Sequence, residues 1–100
     1  MSKQETRALE VTQEDITAGV RASATRCPFA LAARRLFPGW HSVTVVNNIV
    51  CSSPFRYAAW DIEPRGVREI VHYDDGGAME PGTYTLTLRE RRSEEQEDRA

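Results

Sequence analysis

The chain has 100 residues, 40% of them hydrophobic, and a formal net charge of −2. This length predicts a single domain, and without a long apolar run we expect no segment that crosses a membrane. The slightly negative charge also lacks the strong basic bias typical of nucleic-acid-binding domains. We expect a cytoplasmic domain over residues 8–88, flanked by a disordered N-terminus (1–7) and a charged C-terminal tail (89–100).

The first predicted elements are a short strand and a short helix. Residues 8–11 form the strand, with Leu9 and Val11 on one face. Thr12 is the expected N-cap of a helix over residues 13–22, and Asp15 stands three positions later, as in a capping box.

The most strongly patterned apolar segment is 27–39, CPFALAARRLFPG. Pro28 suits the first position of a helix, because its missing N–H would have no partner there. Four side chains recur at helical spacing on one face, and Pro38-Gly39 ends the pattern; the four are Phe29, Ala32, Ala33 and Leu36. We therefore expect a core helix laid across a sheet.

The second half of the chain changes to a strand pattern. Residues 42–46, 49–51 and 55–62 are rich in alternating β-branched and aromatic residues, and Asn47-Asn48 favours a turn. A helix follows from Pro64 to the Asp-Gly-Gly segment at 75–77, and residues 83–88 alternate threonine with apolar residues. These elements predict an α+β domain, with an antiparallel sheet of three to four strands packed against two to three helices.

Charge is distributed unevenly along the chain. Residues 21–60 contain five arginines and no Asp or Glu, whereas residues 61–100 contain six arginines and eleven acids. Arginine beside exposed aromatic side chains can hold phosphates and stack bases, and it also dominates protein–protein hot spots. The alternative is that the aromatics belong to the core and the arginines are ordinary surface residues. The candidate binding residues are Arg26, Arg34, Arg35, Trp40, His41, Arg56 and Tyr57.

Two arrangements could carry chemistry. Cys27 stands at a helix N-terminus beside Arg26, where the pKa of a thiol is lowered, but a buried and inert cysteine is the simpler interpretation. Cys27, His41, Cys51 and His72 could be proposed as zinc ligands, yet their spacings of 14, 10 and 21 residues contain no close pair. We therefore predict no catalytic residues, no metal site and no cofactor.

The CPFALAARR segment, the Asp74-Asp75-Gly76 helix end and the final PGTYTLTL strand together resemble a family. These features are similar to small single-domain proteins of unknown function, encoded in bacteriophages and actinobacterial genomes, that carry a Cys-Pro-x-Ala-Leu-Ala helix start. The resemblance covers residues 11–88 and supplies no catalytic residue. It implies an accessory protein of a phage or mobile element.

We expect a non-enzymatic binding or inhibitor protein that engages a host protein with an acidic patch. The alternative is a nucleic-acid-binding protein that uses the acid-free span 21–60. Pairing of an exposed strand, either 83–88 or 43–46, with a second copy would give a homodimer.

Overall fold

A computed structural model describes residues 4–93 and contains five strands and three helices. In chain order they are β1 (Thr6–Val11), α1 (Gln13–Ala18), α2 (Pro28–Leu36), β2 (Ser42–Val45), β3 (Asn48–Ser53), β4 (Arg56–Ile62), α3 (Pro64–Asp74) and β5 (Gly82–Ser93). The strands form one antiparallel sheet in the order β1-β5-β4-β3-β2. The predicted α+β class is confirmed, with one strand more than the upper limit we expected.

Local sequence signals define α2. Cys27 is its N-cap and Pro28 its first residue, and the N–H of Phe37 closes the last turn by donating to the carbonyl of Ala33 at 2.8 Å. Phe29, Ala32 and Ala33 of the predicted apolar face are buried, and Leu36 is partly buried. The ring centroid of Phe29 lies 4.9 Å from that of Tyr84 on the sheet. The core helix expected from the pattern is therefore present.

The core lies between the helices and one face of the sheet. Strand residues of one parity, such as Leu9, Ile49 and Leu86, are fully buried beneath the helices. On β5 the alternate residues Thr83 and Thr85 are exposed, as the alternation predicted. The period of two thus selects the face that is buried.

A buried carboxylate joins α1 to α2. Asp15 completes a capping box with Thr12, in which each side chain accepts a hydrogen bond from the other residue's backbone N–H. Arg35 donates to both carboxylate oxygens of Asp15, each at 2.9 Å. These hydrogen bonds, chiefly those from Arg35, hold the pKa of Asp15 below its usual range although burial opposes the shift.

One of the two strands that we expected at an edge of the sheet lies in its interior. Residues 83–88 are not an edge, because β5 lies between β1 and β4. β2 is an edge strand, and the N–H of Val45 there donates to the carbonyl of Ala24 at 2.8 Å. A dimer through 83–88 is therefore excluded in this fold, while one through β2 stays a prediction.

The strands also extend beyond the domain limits expected from the sequence. β1 begins at Thr6 and β5 continues to Ser93. The remaining residues of the predicted N-terminus and tail, 1–3 and 94–100, lie outside the described residues. Within residues 4–93, no helix has the length and apolar character needed to cross a membrane.

Candidate functional site

A cleft of about 630 Å³ opens at the C-terminal end of α2, against the start of β4 and the end of β5. Its lining combines arginines with aromatic residues: Arg7, Arg56, Arg91 and Arg92 with Phe37, Trp40 and Trp60. We call this site the arginine cleft.

The floor of the arginine cleft is a fixed aromatic surface. Trp60 is only 2% exposed, and Phe37 stacks on it with ring centroids 5.1 Å apart and an interplanar angle of 27°. The guanidinium of Arg7 lies 5.4 Å from the centroid of the Trp60 ring. Trp60 therefore belongs to the hydrophobic core, and Phe37 packs against that core.

Two arginines of the cleft stack on other aromatic rings. The guanidinium of Arg56 lies 4.1 Å from the Trp40 ring centroid and donates to the Gly39 carbonyl at 3.1 Å. Arg92 lies 4.6 Å from the ring centroid of Tyr57. A stacked guanidinium keeps in-plane N–H groups available, and their fork matches the oxygens of a carboxylate or a phosphate. The contact with Trp40 therefore orients the Arg56 guanidinium for an anion in the cleft, whereas Arg92 and Tyr57 lie together on the opposite face of the sheet.

A β-bulge decides which charge β5 presents to the cleft. Trp60 pairs with Leu88, but the preceding residue of β4, Ala59, pairs with Glu90, so β5 holds one extra residue. Ala58 lines the cleft and lies directly opposite Arg91. Because directly opposed residues share a face of the sheet, Arg91 also faces the cleft. With a regular register Glu90 would stand opposite Ala58. The bulge thus exchanges a carboxylate for a guanidinium.

One glutamate partly neutralises the arginine cleft. The Glu5 carboxylate contacts Arg7 at 2.5 Å and Arg91 at 3.1 Å, whereas Glu90 contacts Arg92 at 2.8 Å on the opposite face of the sheet. Three arginines and one glutamate on the cleft face leave a local net charge of +2. Arg56 is the cleft arginine that pairs with no carboxylate in the described part of the chain.

Some of the binding residues predicted from the sequence meet at this cleft. Trp40 and Arg56 line it, and Tyr57 supports Arg92 from its edge. His41 follows Trp40, is exposed, and donates its backbone N–H to the Ser53 hydroxyl at 2.9 Å.

The other predicted binding residues lie elsewhere. Arg35 is engaged by Asp15, and Arg34 is exposed on α2 outside the cleft lining. Arg26 precedes the nine-residue α2 and so lies roughly 13 Å along the helix axis from its C-terminal end. Three of the candidate arginines, Arg26, Arg34 and Arg35, therefore lie outside the arginine cleft.

Three of the four cleft arginines were missed by sequence reasoning. Arg7 falls in the segment expected to be disordered, and Arg91 and Arg92 fall in the expected charged tail. The inward parity of Tyr84, Leu86 and Leu88 is a signal that β5 could continue. If the same alternation continued without the bulge, Glu90 would point inward instead of Arg91. The sequence contains no local pattern that predicts the bulge.

The two thiols lie in the core. Cys27 is 3% exposed, and burial raises its pKa although it stands at the α2 N-terminus. Burial also raises the pKa of Cys51, to about 11. Neither environment supplies the lowered pKa of a nucleophilic thiol. Across residues 4–93, no three His, Cys, Asp or Glu side chains cluster as metal ligands would.

Compared with known proteins, the chain matches no family model, no curated protein and no solved structure. The resemblance to small phage and actinobacterial proteins therefore stays a prediction. The arginine cleft, with its charge and its fixed floor, is the feature from which a function can be inferred.

Proposed function

We propose that the protein is a non-catalytic binding protein that captures an acidic segment of a partner protein in the arginine cleft. One observation carries the proposal: the guanidinium groups of Arg7, Arg56 and Arg91 lie around an aromatic floor. Arginine and tryptophan are the residues that contribute most to binding in protein–protein interfaces. An occupant of such a site offers carboxylates to the rim and apolar side chains to the floor.

The charge of the site favours a protein segment over a nucleic acid. A polyphosphate backbone is best held by a continuous positive surface, because counterion release scales with the number of phosphates neutralised. Here Glu5 already pairs with two of the three arginines on the cleft face, Arg7 and Arg91. A few well-placed carboxylates suit a local charge of +2 better than a long row of phosphates.

The resemblance supplies the biological setting of the proposal. In a bacteriophage or mobile element, the acidic segment belongs to a host protein, and the chain acts as an accessory or inhibitor protein. Arg56 and Trp40 contribute most to the contact, since Arg56 has no internal carboxylate partner in the described chain and stacks on Trp40.

Intrinsic fluorescence tests this function directly. Both tryptophans of the chain, Trp40 and Trp60, line the cleft, so a ligand that enters it changes their emission. We expect saturable binding of a hexaglutamate peptide carrying one tyrosine or leucine, with an affinity that falls as salt increases. A single-stranded oligonucleotide of equal charge is expected to bind more weakly.

Two matched variants locate the contact. Arg56→Ala is expected to weaken peptide binding by about 1 kcal/mol, roughly fivefold, for the loss of an exposed charge-assisted contact. Arg68→Ala removes an equal charge from the exposed face of α3 and is expected to change affinity less than about twofold. Equal weakening by both variants would contradict the proposal, and tighter binding of the oligonucleotide would favour the nucleic-acid alternative.

A further inference from the structure

The carboxylate of Glu5 bridges two arginines of the cleft. Its Oε2 contacts Arg7 at 2.5 Å, and its Oε1 accepts a hydrogen bond from Arg91 at 3.1 Å. The two guanidinium groups come from different strands, because Arg7 lies on β1 and Arg91 near the end of β5. They therefore form a two-armed site that is already filled by a carboxylate of the same chain.

Glu5 is anchored through its backbone and not only through its side chain. Its carbonyl accepts a hydrogen bond from the N–H of Leu88 at 2.8 Å, which continues the pairing of β1 with β5. The side chain itself is 30% exposed. Its carboxylate can consequently rotate into solvent while the strand pairing is kept, and exchange there for another carboxylate is sterically open.

We propose that Arg7 and Arg91 form an anion subsite of the arginine cleft, with the Glu5 carboxylate as its resting occupant. A carboxylate of the acidic partner segment displaces Glu5 and takes the same two guanidinium groups. This inference rests on the function proposed above and adds a specificity-determining residue to it. Glu5 makes the cleft selective, because a ligand must provide a carboxylate positioned well enough to compete with a tethered one.

The position of Glu5 also limits non-specific binding. An isolated anion that meets only Arg7 and Arg91 competes with a carboxylate held at high effective concentration. A segment that also reaches Arg56 and the aromatic floor gains contacts that Glu5 does not make. Removal of the Glu5 charge is therefore expected to raise affinity for acidic ligands.

The test measures binding of the same hexaglutamate peptide to the Glu5→Gln variant of the full chain. We expect binding about threefold to tenfold tighter than in the wild type, as for one competing exposed ion pair. Glu80→Gln removes an equal charge just before the start of β5, whereas the cleft lies at the other end of that strand. This control is expected to change affinity less than about twofold. Urea unfolding of each variant checks that the fold is retained.

A second pair of variants separates displacement from a general charge effect. In an Arg7→Ala, Arg91→Ala background the subsite is absent, so Glu5→Gln is expected to give no gain in affinity. An equal gain in that background would overturn the inference, as would unchanged or weaker binding by Glu5→Gln alone.

The outcomes also distinguish this inference from the proposed function. If the wild type binds the peptide through Arg56 but Glu5→Gln gains nothing, the subsite is wrong and the function stands. If neither the wild type nor Glu5→Gln binds the peptide at any salt concentration, both are overturned. A gain seen with the oligonucleotide alone would overturn carboxylate displacement.

Discussion

Replacement of Asp15 by alanine tests the polar contact that joins α1 to α2. The Asp15 carboxylate accepts the N–H of Thr12 at 2.9 Å and two hydrogen bonds from Arg35. The variant Asp15→Ala removes these contacts together, while the apolar core beneath them is unchanged. We expect the free energy of unfolding to fall by about 2 kcal/mol, from the two contributions that follow.

The magnitude follows from how exposed each partner is. Loss of the acceptor for the Thr12 N–H costs about 1 kcal/mol, the usual net value of one hydrogen bond. Breaking a fully buried ion pair costs about 3–5 kcal/mol, but here the side chain of Asp15 is 6% exposed and that of Arg35 is 53% exposed. Arg35 regains water when its partner is removed, so about 1 kcal/mol is the appropriate contribution of the pair.

The same carboxylate makes stability depend on pH. Because the pKa of Asp15 is lower in the folded than in the unfolded chain, its ionised form stabilises the fold above the unfolded value of about 3.9. That contribution is lost as pH falls through the folded pKa. In the variant Asp15→Asn this part of the acid dependence is expected to be absent.

Urea denaturation followed by circular dichroism at pH 7 and at lower pH measures both effects. Glu14→Ala is the matched control, because Glu14 occupies the same first turn but is exposed, and we expect a change within about 0.5 kcal/mol. A loss below about 0.5 kcal/mol for Asp15→Ala would refute this account of the contact. An acid dependence in Asp15→Asn equal to that of the wild type would refute the assignment of the pKa.

Two further predictions concern the core. Gly66→Ala would place a Cβ 2.6 Å from Ile62 Cγ2, so we expect the free energy of unfolding measured in urea to fall by about 1–3 kcal/mol. The control Gly82→Ala would place its Cβ 3.4 Å from the nearest atom, and we expect a smaller decrease. Cys27 and Cys51 are expected to react with a thiol reagent far more slowly in the native chain at pH 8 than in urea, because both are buried and their pKa values are raised. Rapid native labelling of both thiols would show that the core around α2 is open.

Local patterns alone were sufficient for most of the elements. Pro28 begins the nine-residue α2 and Pro38-Gly39 follows its end, so the limits of this amphipathic helix could be predicted without knowledge of any partner. The alternation along residues 83–88 identified the buried face of β5 for the same reason, since the period of two is a property of the extended backbone. Such features depend only on neighbours in the chain.

The candidate site depends on contacts between distant residues. The sequence does not indicate a partner for Arg35, but its guanidinium forms an ion pair with the carboxylate of Asp15, which lies 20 positions earlier in the chain. Arg7 and Arg91 meet across Glu5 because β1 and β5 become neighbours and a bulge moves Arg91 to the cleft face. Composition along the chain determined that arginines and aromatics were present. Only strand order and register decided which of them converge, because a shift of one residue in pairing moves a side chain to the opposite face of the sheet.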